Sequence, residues 1–303
     1  LELKTEEEEM NLNTFIQILL STLRVSSPLL FAAMGGLLSE RSGVINIALE
    51  GLMLAGAFGA AVVALATGSP TLGALGGMCF GVLLAAVYGL SVISLRSNQI
   101  VAGAAINMLA AGVTPFLCKI IYDSAGSSPN IPMAARFQWG PFVLAWILVV
   151  VVWWVLKATP LGLWIRFAGE NPEALDSAGV SVNGIRWIAV LCSGALAGMG
   201  GVSLSIDLSS SFSRNMTAGR GYMALAALIF GKWRPIPAAM ACLLFGFADA
   251  IQSRLQGAVL WGTDPVPVQF IQILPYVITI LLLAGFVGKS RAPKSLGLAF
   301  QKR

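Results

Sequence analysis

Apolar residues run along this chain in blocks far longer than the alternation of a half-buried strand or the three-to-four-residue rhythm of a surface helix. Between Ser42 and Leu95 the one charged residue is Glu50. Residues 97–118, 137–156 and 187–206 carry no charge, and 255–288 carry only Asp264. About 20 apolar residues cross a hydrocarbon core of about 30 Å. The pattern therefore predicts spans at 13–38, 47–67, 72–95, 99–120, 142–157, 185–206, 219–231, 236–252 and 269–288. The segments 142–157, 219–231 and 236–252 are short for that thickness, so they are expected to be broken, re-entrant or longer than these limits. The fold class expected is all-α: a polytopic membrane helical bundle of about nine or ten spans.

Composition agrees: 57% of the 303 residues are apolar and 11% are charged, against norms of about 45–50% and about 25%. No polar stretch is long enough for a separate soluble enzyme domain. Histidine is absent, which removes imidazole acid–base chemistry, Ser-His-Asp triads and His-ligated zinc. Cys79, Cys118, Cys192 and Cys242 each lie in an apolar stretch without a C-x-x-C pair, so buried inert thiols are expected. GFVGKS (285–290) lacks the upstream glycine of a phosphate loop and ends an apolar run, so it is not read as one. No metal, cofactor or catalytic set is expected.

The net charge of +5 marks topology, with no nucleic-acid partner expected, because the bases fall between the apolar runs. Lys289, Arg291, Lys294, Lys302 and Arg303 follow the last run and put the C-terminus in the cytoplasm. Counting back adds Lys232, Arg234, Lys157, Arg166, Arg186, Arg96 and Arg41 to that side, leaving Lys119, Arg136, Arg214, Arg220 and Arg254 opposite. Arg24 is not placed. The N-terminus then lies outside, unless residues 10–38 form a hairpin-like pair of short segments around Pro28. Residues 1–9, LELKTEEEE, read as an appended tag ahead of Met10 or as a disordered acidic tail. Residues 10–303 are expected to form one transmembrane domain.

A faint repeat crosses that domain. FAAMGG (31–36) is similar to ALAGMGG (195–201), and EGLMLAGAFGA (50–60) to RGYMALAALIF (220–230). Five predicted spans lie between the starts of the two copies, about 22–120 and about 185–288. An odd number inverts the second copy, an arrangement that goes with broken helices in transporters.

Glu50 is expected either to stay wet near an interface or to brace the bundle, since a membrane acid costs roughly 3 kcal/mol. The repeat aligns it with Arg220, so a pair across the bundle is one expectation. Asn46, Asn107, Gln269 and Gln272 are uncharged polar residues in or beside spans. Amides can exchange hydrogen bonds with a neutral solute, so these four are expected along a substrate path. In the loop 158–184, Glu170 and Asn171 precede a short helix: Asn171 suits the N-cap, Pro172 the first position, Glu173 the first turn, Ala174 the interior and Gly179 the end. A two-turn helix between span ends is read as a docking element.

The stretches GLLSERSGVINIALEGLMLAGAFGA (36–60), RFAGENPEALDSAGV (166–180) and GRGYMALAALIFGKWRPIPA (219–238) resemble permease subunits of bacterial ABC importers. The similarity is to the branched-chain amino-acid/ribose-type family, and within it to nucleoside or simple-sugar permeases. The resemblance implies a second related permease, with which the chain is expected to pair as a heterodimer. It also implies ATP-binding-cassette subunits, an extracytoplasmic substrate-binding lipoprotein and a bacterial inner-membrane location. By the same resemblance, residues 170–179 are a coupling helix for an ATPase subunit, and the chain itself is not an enzyme. The function expected is ATP-driven import of nucleosides, with ribose- or galactose-type sugars as the alternative. A stand-alone secondary transporter is the competing class, with Glu50, Asp249 and Asp264 as its only candidate coupling acids.

Overall fold

The computed structural model describes residues 16–124, 126–137, 140–255 and 291–301, with 273 and 277 as isolated points. The long helices are α1 (Ile16–Arg41), α2 (Leu49–Thr67), α3 (Pro70–Ser94), α4 (Gln99–Tyr122), α5 (Gly140–Ala158), α8 (Val182–Leu208) and α10 (Pro235–Leu255). Shorter ones are α6 (Pro160–Glu170), α7 (Pro172–Ser177) and α9 (Arg220–Phe230). Seven helices among the described residues are long and apolar enough to cross a membrane. The expected span 269–288 lies outside them but for residues 273 and 277.

Local chemistry explains where these helices start and stop. Gly68 ends α2 with φ +67°, and Ser69–Pro70 turns directly into α3. Asn98 caps α4 by accepting from the N–H groups of Ile100 and Val101, and Ser181 caps α8 through Gly184. The short segments 142–157 and 236–252 are complete helices, extended at both ends in α5 and α10. Segment 219–231 remains short: 11 residues in α9 rise only about 16 Å. The hairpin around Pro28 is not formed. α1 continues through a turn at Ser26, where the Ser26 and Ser27 hydroxyls donate to the carbonyls of Leu23 and Arg24.

The core is built by small residues. A Cβ on Gly56 of α2 would lie 2.4 Å from the Cα of Gly198 of α8, and one on Gly81 of α3 would lie 2.3 Å from the Gly194 carbonyl. Backbones therefore touch directly, as membrane helices without a hydrophobic driving force require. α8 becomes the buried axis between α1, α2 and α3. The cysteine expectation needs correcting for two of the four: Cys118 and Cys242 are buried, but Cys79 and Cys192 are exposed on span faces, and all four are free.

Candidate functional site

Two pairs of helices in the bundle are joined by non-helical chain, the first link largely buried and the second carrying exposed Ser213, Arg214 and Asn215 between buried Phe212 and Thr217. Backbone without a helix or sheet is tolerated at membrane depth only where other groups satisfy it. The first link, residues 42–48, joins α1 to α2, and four neighbouring elements serve it. Arg186 of α8 donates to the Ser42 carbonyl at 3.1 Å. Gln99 Oε1 accepts from Ile45 N–H at 2.8 Å, and the Tyr88 hydroxyl of α3 donates to the Ile45 carbonyl. Asn107 Nδ2 of α4 donates to the Ile47 carbonyl at 2.9 Å. The Gly297 N–H donates to the Gly43 carbonyl at 3.0 Å, so the C-terminal segment shares this work.

The second link, residues 209–219, leads from a π-helical turn ending α8 (Ser203–Leu208) to α9. Its first half pairs with the loop after α4: Ser128 and Phe212 exchange backbone and hydroxyl hydrogen bonds, and Arg214 N–H donates to the Gly126 carbonyl. Phe212 stands edge-on to Phe58 of α2 with centroids 5.3 Å apart. Gly219, at φ +84°, supplies the left-handed turn that L side chains rarely adopt and releases the chain into α9.

The two links meet at Glu50. Its Oε1 accepts from Gly219 N–H at 2.8 Å and its Oε2 from Gly221 N–H at 2.7 Å. A carboxylate is thus set on the N-terminus of the half-length helix α9, where unpaired N–H groups and the helix dipole favour negative charge. Asn107 Oδ1 accepts from Gly51 N–H at 2.8 Å, while its Nδ2 also donates to the Tyr222 hydroxyl of α9 at 2.9 Å. Asn107 is the eighth residue beyond Gln99, about 12 Å up the helix. Ser193, which accepts from Asn46 Nδ2 at 2.7 Å, is eleven residues into α8, about 16 Å up. The junction therefore lies inside the bundle, about a third to two-fifths of the way along these helices.

The expected Glu50–Arg220 ion pair is not made. Arg220 pairs with Asp249 of α10 at 3.1 Å, because Glu50 is already engaged by the backbone on either side of Arg220. Asn46, Glu50, Asn107 and Arg220 do converge on the two links. Asn107 has its amide committed to Ile47 of the first link, Gly51 of α2 and Tyr222 of α9, an arrangement that suits bracing better than the path-lining role expected of it. Gln269 and Gln272 lie outside the described residues. Three buried polar atoms near the junction or the second link have no hydrogen-bond partner among the described residues: Asn46 Oδ1, Thr217 Oγ1 and Asp207 Oδ2.

Several participants were not singled out in the sequence. Asp207 pairs with Arg24 at 2.8 Å, and Glu40 accepts from the indole N–H of Trp233. The signal for Asp207 was its place one residue past the charge-free run 187–206. Glu40 was hidden by its neighbour Arg41, which made the pair look like an ordinary span end.

A second cluster lies at the end of the bundle that carries the loop between α5 and α8. Asn171 Oδ1 accepts from Ala174 N–H at 3.2 Å, Pro172 starts α7, and Gly179 follows it at φ +82°. Glu170 ends α6, and Glu173 stands in the first turn of α7. The C-terminal segment lies at the same end: Ser295 N–H donates to the Gly169 carbonyl at 2.8 Å, and Arg186 to the Leu298 carbonyl at 2.8 Å.

A family model described as "Branched-chain amino acid transport system / permease component" matches residues 18–283. The chain belongs to this permease family. The nucleoside ABC transporter permease protein NupC of Lactococcus lactis subsp. cremoris is 36% identical, over 97% of this chain and 99% of that protein. The guanosine ABC transporter permease protein NupQ of Bacillus subtilis is 38% identical over 93% and 95%. A putative glucose ABC transporter permease of Haloferax volcanii is 35% identical over 88% and 90%.

Within this permease, the site holds chain in place through hydrogen bonds. Among the described residues no group of three His, Cys, Asp or Glu side chains is placed to hold a metal. The buried acids Glu40, Glu50 and Asp207 each accept from a named donor. Asn46 Oδ1 and Thr217 Oγ1 are left as open uncharged polar atoms on chain that is not locked into a helix.

Proposed function

We propose that the chain is the transmembrane subunit of an ATP-driven importer that moves nucleosides into the cytoplasm. The observation that carries this reading is 36–38% identity over nearly the full length of two permeases named for nucleosides or guanosine. The junction inside the bundle supports it physically, since a neutral, hydrogen-bonding solute suits open amide and hydroxyl atoms better than fixed charges. In this reading the loop 158–184 and the C-terminus face the cytoplasm, as the lysine and arginine asymmetry favours. α7 docks on an ATP-binding-cassette subunit, a second related permease completes the pore, and a substrate-binding lipoprotein delivers the solute from outside. Glu50 and Asn107 hold the two links, with Asn46 and Thr217 along the route.

A simple-sugar cargo is the second reading, favoured by the 35% identity to a putative glucose permease. ATP-driven uptake by the reconstituted complex separates them. Labelled uridine or guanosine should accumulate in a vanadate-sensitive way, with competition from unlabelled nucleosides and none from ribose or glucose. Competition by a sugar alone selects the second reading. Vigorous ATP hydrolysis with uptake of neither solute overturns both.

A further inference from the structure

At the loop end of the bundle, α5, α6 and α10 enclose a cavity of about 410 Å³ whose wall includes four cations: Arg41, Lys157, Arg166 and Arg234. Among the described residues none of the four lies within ion-pair distance of a carboxylate; the ion pairs formed there join Arg24 to Asp207 and Arg220 to Asp249. Arg41 is held in place by its Nε, which donates to the Trp233 carbonyl at 2.8 Å. Arg166 Nε is buried with no partner. Lys157 Nζ stands 4.9 Å over the ring of Trp153, close enough for a cation–π contact. Glu170, which shares the adjoining cleft with Arg41 and Arg166, offsets part of this charge, and the excess of cations in one small space suits an anion.

The rest of the wall says which kind of anion. Trp153 and Ile236 also line the cavity; they stand in the last two turns of α5 and the first turn of α10, helices long and apolar enough to cross the membrane. Neighbouring apolar residues on those helices, Val150 and Met240, are 62% and 61% exposed. The surface of α6 continues the pattern, with Trp164 and Phe167 exposed beside Arg166. The cavity wall thus sets four cations beside apolar residues of two spans whose outer faces are exposed.

We propose that this cavity binds an anionic phospholipid, with its phosphate among Arg41, Lys157, Arg166 and Arg234 and the start of an acyl chain against Trp153 and Ile236. Basic pockets at the cytoplasmic ends of membrane helices suit such headgroups. The inference rests on the membrane and orientation reading above and is independent of the solute carried. An ATPase subunit is the other candidate occupant, but a soluble protein has no access to the lateral, apolar wall between α5 and α10.

The test uses the assembled transporter in detergent, mixed with vesicles of phosphatidylcholine or of phosphatidylcholine with phosphatidylglycerol, and native mass spectrometry of the lipid retained. Phosphatidylglycerol should be retained in preference to phosphatidylcholine. Lys157→Gln with Arg166→Gln should weaken that retention about thirtyfold, from the loss of two near-surface cations. Lys157→Arg with Arg166→Lys should keep it, and Ile236→Asn, which alters only the apolar wall, should lower it. Equal retention of phosphatidylglycerol by wild type and the double glutamine variant overturns the proposal. Full displacement of the lipid by inorganic phosphate also overturns it, because it would mark a free-anion site with no use for the apolar wall. Loss of the ATPase subunit with lipid retention unchanged assigns the cluster to subunit docking and is likewise fatal. If the double glutamine variant fails to assemble, retention by Ile236→Asn decides: undiminished phosphatidylglycerol there refutes the site.

Discussion

Replacing Glu50 tests whether one carboxylate holds the two links together. It accepts two backbone hydrogen bonds, at 2.8 and 2.7 Å, from the residues flanking Arg220. The residue itself is buried at 8% exposure. Glu50→Ala leaves two buried N–H groups without an acceptor, at about 1–3 kcal/mol each. Removing a buried carboxylate returns part of that cost, so a net loss of about 2–4 kcal/mol is expected. Glu50→Gln keeps the shape but has one acceptor oxygen for two donors, so about half that loss is expected. Glu50→Asp keeps the charge yet falls one methylene short of both N–H groups, and it should behave like alanine. Reversible unfolding in mixed detergent micelles, followed with recovery of the assembled complex, gives the order glutamate, glutamine, then aspartate and alanine together. A stable aspartate variant would mean that charge alone matters and would refute the capping account. An alanine variant within about 0.5 kcal/mol of wild type, the range of an ordinary surface change, would refute it too.

Orientation is checked by single cysteines in a cysteine-free background: Ser177→Cys and Lys294→Cys should resist impermeant maleimide in intact cells, while Asn130→Cys should label. Labelling of Ser177→Cys before permeabilisation would invert the topology. Glu173→Lys combined with Gly179→Pro should leave the protein inserted but separate ATP hydrolysis from uptake, because proline cannot adopt the φ of +82° at position 179. Wild-type uptake and stimulated ATPase activity in that variant would end the coupling role of α7.

Much of the bundle was legible because span length and charge placement depend on the bilayer alone. Caps were legible for the same local reason: Asn171, Pro172 and Gly179 specify α7 without reference to the rest of the chain. The same signal stands at Thr159–Pro160, where the Thr159 hydroxyl accepts from Gly162 N–H at 3.1 Å and starts α6 within the stretch 158–184 that the sequence reading expects to be loop. The site was harder. Nothing around position 50 tells whether a lone acid meets an arginine side chain or the peptide groups beside it; that depends on a link 169 residues away in sequence. Asn107 looks available in the sequence because its partners, Ile47, Gly51 and Tyr222, lie on three other parts of the chain: the first link, α2 and α9. The hairpin around Pro28, the alternative to an outside N-terminus, is not formed: Pro28 sits at the first turn after the break at Ser26, where a proline is tolerated.

The central claim is that the two links form the solute route, and accessibility at their buried open polar atoms tests it most directly. Cysteines would replace Asn46 and Thr217, with Thr114→Cys, buried in α4, as a control away from the links. Each variant, in a cysteine-free reconstituted complex, would be exposed to a small water-borne thiol reagent with ATP and vanadate added in turn. The account predicts that positions 46 and 217 react at rates that change with nucleotide state and fall when uridine or guanosine is present, while position 114 stays inert. Uniform silence at 46 and 217 in every state, in a complex that still transports, would contradict it.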